Sequence, residues 1–251
     1  MKDFLWLHLR DLPYFRALVR AVEAAFYQGL ALPAPTLDLG CGDGHFASLA
    51  FNHRLDAGLD PWADPLRQSA RRRVYRWLVQ AEGAGMPFRD GSFASAISNS
   101  VLEHIPNVEA VLAEAGRVLL PGAPFVFCVP NPAYFSALSL TRLFGRGYAD
   151  WFRRISRVCH ADPPEVWRGR LEAVGFHLER CWNYFPPQAM RVLEWGHYLG
   201  LPSLIVRKVT GRWILAPTRW NLGLTEQLLR KHAHPRPAVD GTFTFYVARK
   251  Q

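Results

Sequence analysis

Thr36-Leu37-Asp38-Leu39-Gly40-Cys41-Gly42-Asp43-Gly44-His45-Phe46 is the stretch of sequence that decides the fold. An apolar run that contains an acid is followed by three alternating glycines and then by helix-compatible residues. This order predicts a strand, a tight turn and the start of a helix. Glycines at such a turn permit positive φ angles and close approach of a ligand to the backbone. Free amides at the following helix start can meet an electron-rich ligand atom. The stretch alone indicates a ligand loop without identifying the ligand.

Strands and helices alternate on both sides of this turn. Apolar runs bounded by turn residues predict seven strands, at about residues 36–39, 57–60, 74–79, 93–101, 125–129, 176–185 and 242–248. Helical spacing predicts helices at about residues 13–29, 44–53, 64–70, 107–119 and 163–175, with further helices inside 133–158 and 186–240. Asp64 is the expected N-cap of the helix that starts there. This rhythm implies a doubly wound, Rossmann-like α/β sheet with helices on both faces and a helical insertion between the last two strands.

The length of 251 residues suits a single domain with one large core. We expect an N-terminal helical segment with one helix over residues 1–35, a cofactor-binding core over 36–131 and the last strand within 241–251. Residues 132–162 and 186–240 are expected to be helical insertions on the substrate side.

Composition narrows the class of protein. Hydrophobic residues make up 49% of the chain and charged residues 20%, which predicts a globular protein. The four cysteines (Cys41, Cys128, Cys159 and Cys181) are widely spaced, which argues against a disulfide scaffold or a zinc site, and no metal ligands are predicted. The chain shows neither a signal peptide nor an uncharged apolar run of roughly 18 residues. We therefore expect a cytoplasmic protein without a transmembrane helix.

The net charge of +9 is concentrated in the second half of the chain. Residues 1–130 hold 12 Lys and Arg against 13 Asp and Glu, whereas residues 131–251 hold 18 against 8. Such asymmetry suggests an acidic partner such as nucleic acid, anionic lipid or a phosphorylated substrate, with a solvated basic face as the alternative.

Five short motifs follow one another along the chain in an order that is also found in a known protein family. The glycine turn is followed by Gly58-Leu59-Asp60, Met86-Pro87-Phe88-Arg89-Asp90-Gly91-Ser92-Phe93, Ser98-Asn99-Ser100-Val101-Leu102-Glu103-His104-Ile105 and Arg117-Val118-Leu119-Leu120-Pro121-Gly122. Over roughly residues 30–131, this series resembles the class I S-adenosylmethionine-dependent methyltransferases, especially their methyltransferase-11-like small-molecule branch. The resemblance implies S-adenosyl-L-methionine as cofactor and S-adenosyl-L-homocysteine as product.

The resemblance also implies roles for residues at the strand ends. The turn would pass under the methionyl part of the cofactor, Asp38 would attract its ammonium group, and Asp60 would accept both ribose hydroxyls. The adenine would lie beside Pro61 and Trp62, with Glu82 near its amino group. The residues implied for cofactor binding are Asp38, Gly40, Cys41, Gly42, Gly44, Asp60, Pro61, Trp62, Glu82, Gly83, Asn99, Ser100 and Val101.

Each of these residues also has a structural alternative. Asp38 and Asp60 could cap helices, Trp62 could be a packing residue, and Glu82 could be a solvated loop acid. A nicotinamide site is disfavoured because its fingerprint is Gly-x-Gly-x-x-Gly, whereas the glycines here alternate. Asn131-Pro132-Ala133-Tyr134 resembles a motif of amino-methylating nucleic-acid enzymes, but it follows the fifth strand instead of the fourth.

The sequence defines the methyl acceptor less well than it defines the cofactor. His104 is the candidate general base for a hydroxyl acceptor, with helix capping or cofactor contact as its alternatives. Tyr134, Trp151, His160 and Trp195 are the candidate substrate-side residues, because the insertions are aromatic as well as basic. The insertions could also rest on an anionic membrane surface.

We therefore predict O- or C-methylation of a small apolar or amphipathic acceptor. The alternatives are RNA methylation through the basic half and a non-catalytic cofactor-binding protein. Nucleic acid is a disfavoured partner because no RNA-binding module is visible, and the residues indicate no oligomeric state.

Overall fold

A seven-stranded mixed sheet forms the centre of the computed structural model, which describes residues 2–251. The strand order is β3-β2-β1-β4-β5-β7-β6, and only β7 runs antiparallel to its neighbours. The strands are β1 Thr36–Leu39, β2 Leu55–Asp60, β3 Tyr75–Gln80, β4 Ser95–Asn99, β5 Pro124–Pro130, β6 Phe176–Tyr184 and β7 Phe243–Lys250. The predicted doubly wound α/β fold is confirmed.

Eleven helices are found in the described part of the chain. In order they are α1 Phe4–Leu9, α2 Tyr14–Tyr27, α3 His45–Ala50, α4 Ala63–Arg72, α5 Val108–Val118, α6 Ala133–Ser136, α7 Thr141–Ser156, α8 Pro164–Ala173, α9 Pro187–Leu199, α10 Leu201–Thr210 and α11 Arg219–Arg230. A short 3₁₀ turn, Leu102–His104, follows β4. Between β6 and β7 the chain forms α9, α10 and α11, in the segment predicted to be a helical insertion.

The helices cover both faces of the sheet because its strands alternate between two apolar cores. In β5, Phe125 and Phe127 join the cluster that includes α5 and α8. Val126 and Cys128 point to the other face and join the cluster that includes α1, α2, α7 and α9. All seven residues of β5 are buried, as expected for a strand covered on both faces.

The order of the strands reverses between β1 and β4. The chain winds from β1 outward to β3 and then returns to β4 on the other side of β1. Loops that leave two neighbouring parallel strands in opposite directions open a crevice at their carboxyl ends, where ligands bind in open α/β sheets. The glycine turn after β1 lies at this switch point.

Three local predictions were wrong. Residues 2–35 form two helices where one was predicted, because the Asp3 carboxylate accepts the Trp6 amide at 3.2 Å and the apolar side of α1 is buried. The predicted helix over 44–53 ends at Ala50. Asp64 is not the N-cap of α4: the helix begins at Ala63, and the Asp64 carboxylate pairs with Arg67 on the surface.

Within residues 2–251, every helix is too short or too polar to cross a membrane.

Gly40 is the most constrained residue of the turn. Its φ angle is +78°, and a Cβ atom placed on it would lie 2.4 Å from Cγ1 of Val101. Its amide and that of Cys41 both donate to the Leu59 carbonyl, at 2.8 and 3.0 Å. The turn is therefore held between the end of β2 and the residue pair that follows β4.

We expect Gly40→Ala to lower the free energy of unfolding by about 2–3 kcal/mol, because it combines a left-handed backbone with a steric clash. Gly169→Ala is the control: Gly169 lies in α8 with open space around it, and alanine there should add about 0.5–1 kcal/mol. Urea denaturation measures both changes. A Gly40→Ala protein with the wild-type midpoint would contradict this account of the turn.

Candidate functional site

Three adjoining cavities lie at the switch point. The turn cavity, of about 310 Å³, is lined by the glycine turn and by α2. The β2 cavity, of about 610 Å³, lies at the end of β2. The helical cavity, of about 600 Å³, is lined by α2, α7 and α9. Gly40 and Val101 line both the turn cavity and the β2 cavity. Arg20 lines the turn and helical cavities, and Trp62 and His104 line the β2 and helical cavities.

Asp38 forms the floor of the turn cavity. Its carboxylate is buried and accepts a hydrogen bond from the Tyr75 hydroxyl at 2.5 Å. Burial raises the pKa of the Asp38 carboxyl to about 7, although the Tyr75 hydrogen bond lowers it. The N-cap residue of α3 is Gly44, and the Asp43 carboxylate accepts the His45 amide at 3.0 Å. Asp38 is therefore free to face the cavity and could attract a cation.

Asp60 joins the turn to the β2 cavity. Its Oδ2 accepts the Gly42 amide and its Oδ1 accepts the Trp62 amide, both at 2.9 Å. A carboxylate has about four acceptor positions, so two remain for a ligand. Asp60 lines the cavity at the same time. It could therefore hold the turn and accept ligand hydroxyls together.

The other predicted residues of the β2 cavity also lie on its wall. Pro61, Trp62, Glu82 and Gly83 all line it. The Trp62 side chain is 70% exposed, so the alternative that it is a packing residue is wrong. A flat indole at the mouth of a cavity could stack on a planar ligand.

The end of β4 brings Asn99, Ser100 and Val101 to the junction of the cavities. Asn99 and Val101 line the turn cavity, whereas Ser100 lines the helical cavity. Ser100 adopts a φ angle of +52°, which turns the chain sharply at this point.

The buried carboxylate of Glu23 holds the residues at this junction in place through hydrogen bonds. Glu23 of α2 is fully buried and accepts from Asn99 Nδ2 at 2.7 Å, Ser100 Oγ at 3.0 Å and the Tyr184 hydroxyl at 2.9 Å. Arg20 Nη1 lies 3.4 Å from Glu23 and donates to the Asn99 carbonyl at 2.9 Å. Glu23 was not among the site residues predicted from the sequence. The available signal was its position among Val19, Val22 and Phe26 on the apolar face of the predicted helix.

The helical cavity combines apolar walls with charged groups. Tyr134, which was predicted on the substrate side, lines it. The charged or titratable groups on its wall are Arg16, Arg20, Glu103, His104, Arg157 and His197, and the apolar ones include Phe15, Val19, Ile155, Leu193 and Phe243. Such a cavity could hold a molecule with an apolar body and an anionic or polar end.

His104 and Glu103 lie side by side on this wall. Nδ1 of His104 lies 2.9 Å from the Arg157 carbonyl oxygen, so Nδ1–H donates and Nε2 is left as an acceptor. Nε2 is 3.8 Å from Glu103 Oε1. Burial lowers the pKa of the His104 imidazole, which favours its neutral form. Burial raises the pKa of the Glu103 carboxyl to about 8, so this acid is mostly protonated at neutral pH.

Three predicted substrate-side residues lie away from the cavities. Trp151 and Trp195 contact Tyr198, with Trp151 stacked on its ring at 6.2 Å between centroids. His160 Nε2 lies 3.0 Å from the Ile105 carbonyl and its Nδ1 lies 3.4 Å from Asp162. Residues 2–251 contain no group of three or more His, Cys, Asp or Glu side chains that could hold a metal ion.

The chain is similar to known methyltransferases in sequence. Residues 37–127 match the family model described as a methyltransferase domain. The malonyl-[acyl-carrier protein] O-methyltransferase of Legionella pneumophila is 29% identical over 136 residues, which cover 52% of this chain and 48% of that protein. The fatty-acid O-methyltransferase of Mycolicibacterium smegmatis is 34% identical over 104 residues, 39% of this chain and 38% of that protein. The matches to these two relatives span about half of their length or less.

Solved structures share the fold over nearly the whole chain. An S-adenosylmethionine-dependent methyltransferase of Thermotoga maritima superimposes with a TM-score of 0.60 at 15% identity, covering 94% of this chain and 90% of that one. The geranyl diphosphate C-methyltransferase of Streptomyces coelicolor, solved with S-adenosyl-L-homocysteine, gives 0.57 at 16% identity, covering 94% and 83%. The matched methyltransferase domain and the shared fold together support a class I S-adenosylmethionine-dependent methyltransferase with S-adenosyl-L-methionine as its cofactor.

Proposed function

We propose that this chain transfers a methyl group from S-adenosyl-L-methionine to a small amphipathic acceptor, on oxygen in preference to carbon. The observation that carries the proposal is the junction of the three cavities. The helical cavity meets the turn cavity at Arg20 and the β2 cavity at Trp62 and His104. An acceptor in the helical cavity would therefore lie against a cofactor that fills the other two.

The cofactor would lie across the glycine turn. Gly40, Cys41, Gly42 and Gly44 would pass under its methionyl part, and Asp38 would face its ammonium group. Asp60 would accept the ribose hydroxyls with the lone pairs that Gly42 and Trp62 leave free. Pro61, Trp62, Glu82 and Gly83 would enclose the adenine.

When bound, S-adenosyl-L-methionine supplies an electrophilic methyl group on a sulfonium. The protein's main contribution is then to hold the acceptor in line with that group. Asn99, Ser100 and Val101 are placed at the boundary between cofactor and acceptor. Glu23 fixes the first two through hydrogen bonds, so this boundary is positioned by a buried network.

The helical cavity favours an acceptor with an apolar body and an anionic or hydroxyl end. Its arginines could hold a carboxylate, and two relatives are named as O-methyltransferases of acyl compounds. A carboxylate is already a nucleophile and needs no base. A hydroxyl would need one, and neutral His104 could take its proton on Nε2.

Binding of S-adenosyl-L-methionine should depend on pH through Asp38. Its carboxyl has a pKa of about 7, so the charged form that attracts the ammonium group predominates only above that pH. Between pH 6 and 7.5, the ionised fraction of Asp38 rises roughly eightfold and the protonated fraction of the ligand's α-amino group falls by about a third, so the affinity should rise roughly five- to sixfold. Calorimetric titration across this range measures the effect.

Two controls isolate the Asp38 effect. 5′-Methylthioadenosine lacks the amino-acid part of the cofactor, so its affinity should stay flat over the same range. Asp38→Asn should bind S-adenosyl-L-methionine more weakly and without the pH dependence. An equal rise for the wild type and Asp38→Asn would remove the proposed role of Asp38.

The acceptor class can be tested with S-adenosyl-L-methionine that carries a tritiated methyl group. After incubation with the protein and a cell extract, we expect the label in small molecules that partition into organic solvent. Mild alkali should then release volatile tritium if the product is a methyl ester, whereas an ether or a C-methyl group would retain it. Label found only in RNA would overturn the proposal in favour of the basic half acting on nucleic acid. An absence of transfer would favour a non-catalytic cofactor-binding protein.

A further inference from the structure

Helix α10 exposes an apolar stripe to solvent. Leu201, Leu204, Ile205 and Val209 follow helical spacing on one side of it, and their side chains are between 51% and 79% exposed. The helix contains no buried residue. A globular protein normally turns such a stripe toward its core, so this surface is available to something outside the chain.

The segment of sequence around α10 carries only positive charges, although Arg207 and Arg212 share a surface cavity with Asp11 and Asp43. Between Glu194 and Glu226 the sequence contains no Asp or Glu, but it contains Arg207, Lys208 and Arg212, and Arg219 at the start of α11. Lys208 and Arg212 are exposed; Lys208 lies between Leu201 and Leu204 around the helix, and Arg212 follows the end of the helix. A helix with apolar residues on one side and flanking cations has the composition of elements that lie in a membrane interface.

Exposed apolar side chains also occur on α7 and α9. Trp151 of α7 stacks on Tyr198 of α9, and Trp195 contacts the same ring edge-on. Leu143 and Phe144 of α7 are exposed, and Arg142 and Arg146 flank them in the sequence. We call the exposed side chains of α7, α9 and α10 together the apolar-basic face.

This face borders the acceptor's side of the site. Ile155 and Ser156 of α7 and Leu193 and His197 of α9 line the helical cavity. Ile155 is also 45% exposed. The same two helices therefore line the helical cavity and carry part of the apolar-basic face. A molecule held at the face would lie next to the cavity.

We propose that the apolar-basic face docks on the surface of an anionic membrane. Anionic headgroups would neutralise the Lys and Arg side chains while the apolar stripe enters the boundary between headgroups and acyl chains. A nucleic acid would match the charges but would leave Leu201, Ile205 and Val209 in water. A symmetric contact with a second copy would place cations opposite cations, because the same patch is used on both sides.

Vesicle flotation tests this docking directly, with vesicles of phosphatidylcholine alone and with vesicles that also contain phosphatidylglycerol. The wild type should float with the anionic vesicles, less so as salt is added, and should bind the neutral ones at least about tenfold more weakly. Binding requires no methyl transfer, so this test stands apart from that of the enzymatic activity.

Two pairs of variants separate the apolar and the electrostatic contributions. Ile205→Ser with Val209→Ser, and Lys208→Gln with Arg212→Gln, should each weaken binding to anionic vesicles by about tenfold. The control for the first is Trp77→Ser, an equally exposed side chain on the edge strand β3. The control for the second is Arg54→Gln with Arg71→Gln, which removes the same charge elsewhere on the surface.

Several results would overturn the proposal. One such result is a wild type that does not bind anionic vesicles, and another is a wild type that binds neutral vesicles equally well. The control variants could lose as much binding as the test variants, which would reduce the effect to the overall positive charge. Light scattering could also show a dimer that the Ile205→Ser and Val209→Ser changes dissociate without any change in vesicle binding, which would assign the face to a second copy.

Discussion

The hydrogen bonds accepted by the Asp60 carboxylate are the interactions on which the turn cavity and the β2 cavity depend. Asp60 ends β2, is almost fully buried and is satisfied by the amides of Gly42 and Trp62. A buried carboxylate without such donors would be costly, so the turn and the residue after Pro61 are held where their amides meet it. The same two bonds shape the wall between the turn cavity and the β2 cavity. The position of the turn and the shape of the two cavities therefore both depend on the Asp60 carboxylate.

A second buried carboxylate, that of Glu23, connects the helical wall of the helical cavity to the sheet. Glu23 joins α2 to the end of β4 and, through Tyr184, to β6. Since α2 also packs against α9, the helical wall of the site is tied to the sheet at its switch point. Removal of one partner would leave a buried charge uncompensated, which explains why polar residues are retained in an otherwise apolar region. The positions of Ser100 and Arg20 follow from this network.

The sequence predicted the sheet and the strand-end residues that gather at its switch point well, because both depend on local signals. Strand β1 and the glycine turn could be assigned residue by residue from apolar periodicity and glycine spacing, and the family resemblance supplied the expectation for Asp60. The lining of the helical cavity was predicted less well, because it is built from contacts between distant segments. Glu23 meets partners that lie far along the chain, and no local pattern indicates such a pairing. Aromatic composition predicted Trp151 and Trp195 at the substrate, but composition does not state in which direction a side chain points.

The most direct test of this account is calorimetric titration of S-adenosyl-L-homocysteine into the wild type and Asp60→Ala. The wild type should bind one molecule per chain. Loss of the ribose acceptor and of the turn's anchor should weaken Asp60→Ala by at least about tenfold, or roughly 1.4 kcal/mol. Asp64→Ala, which removes an exposed carboxylate on α4, should bind as the wild type does. An unchanged affinity of a folded Asp60→Ala protein would contradict the account.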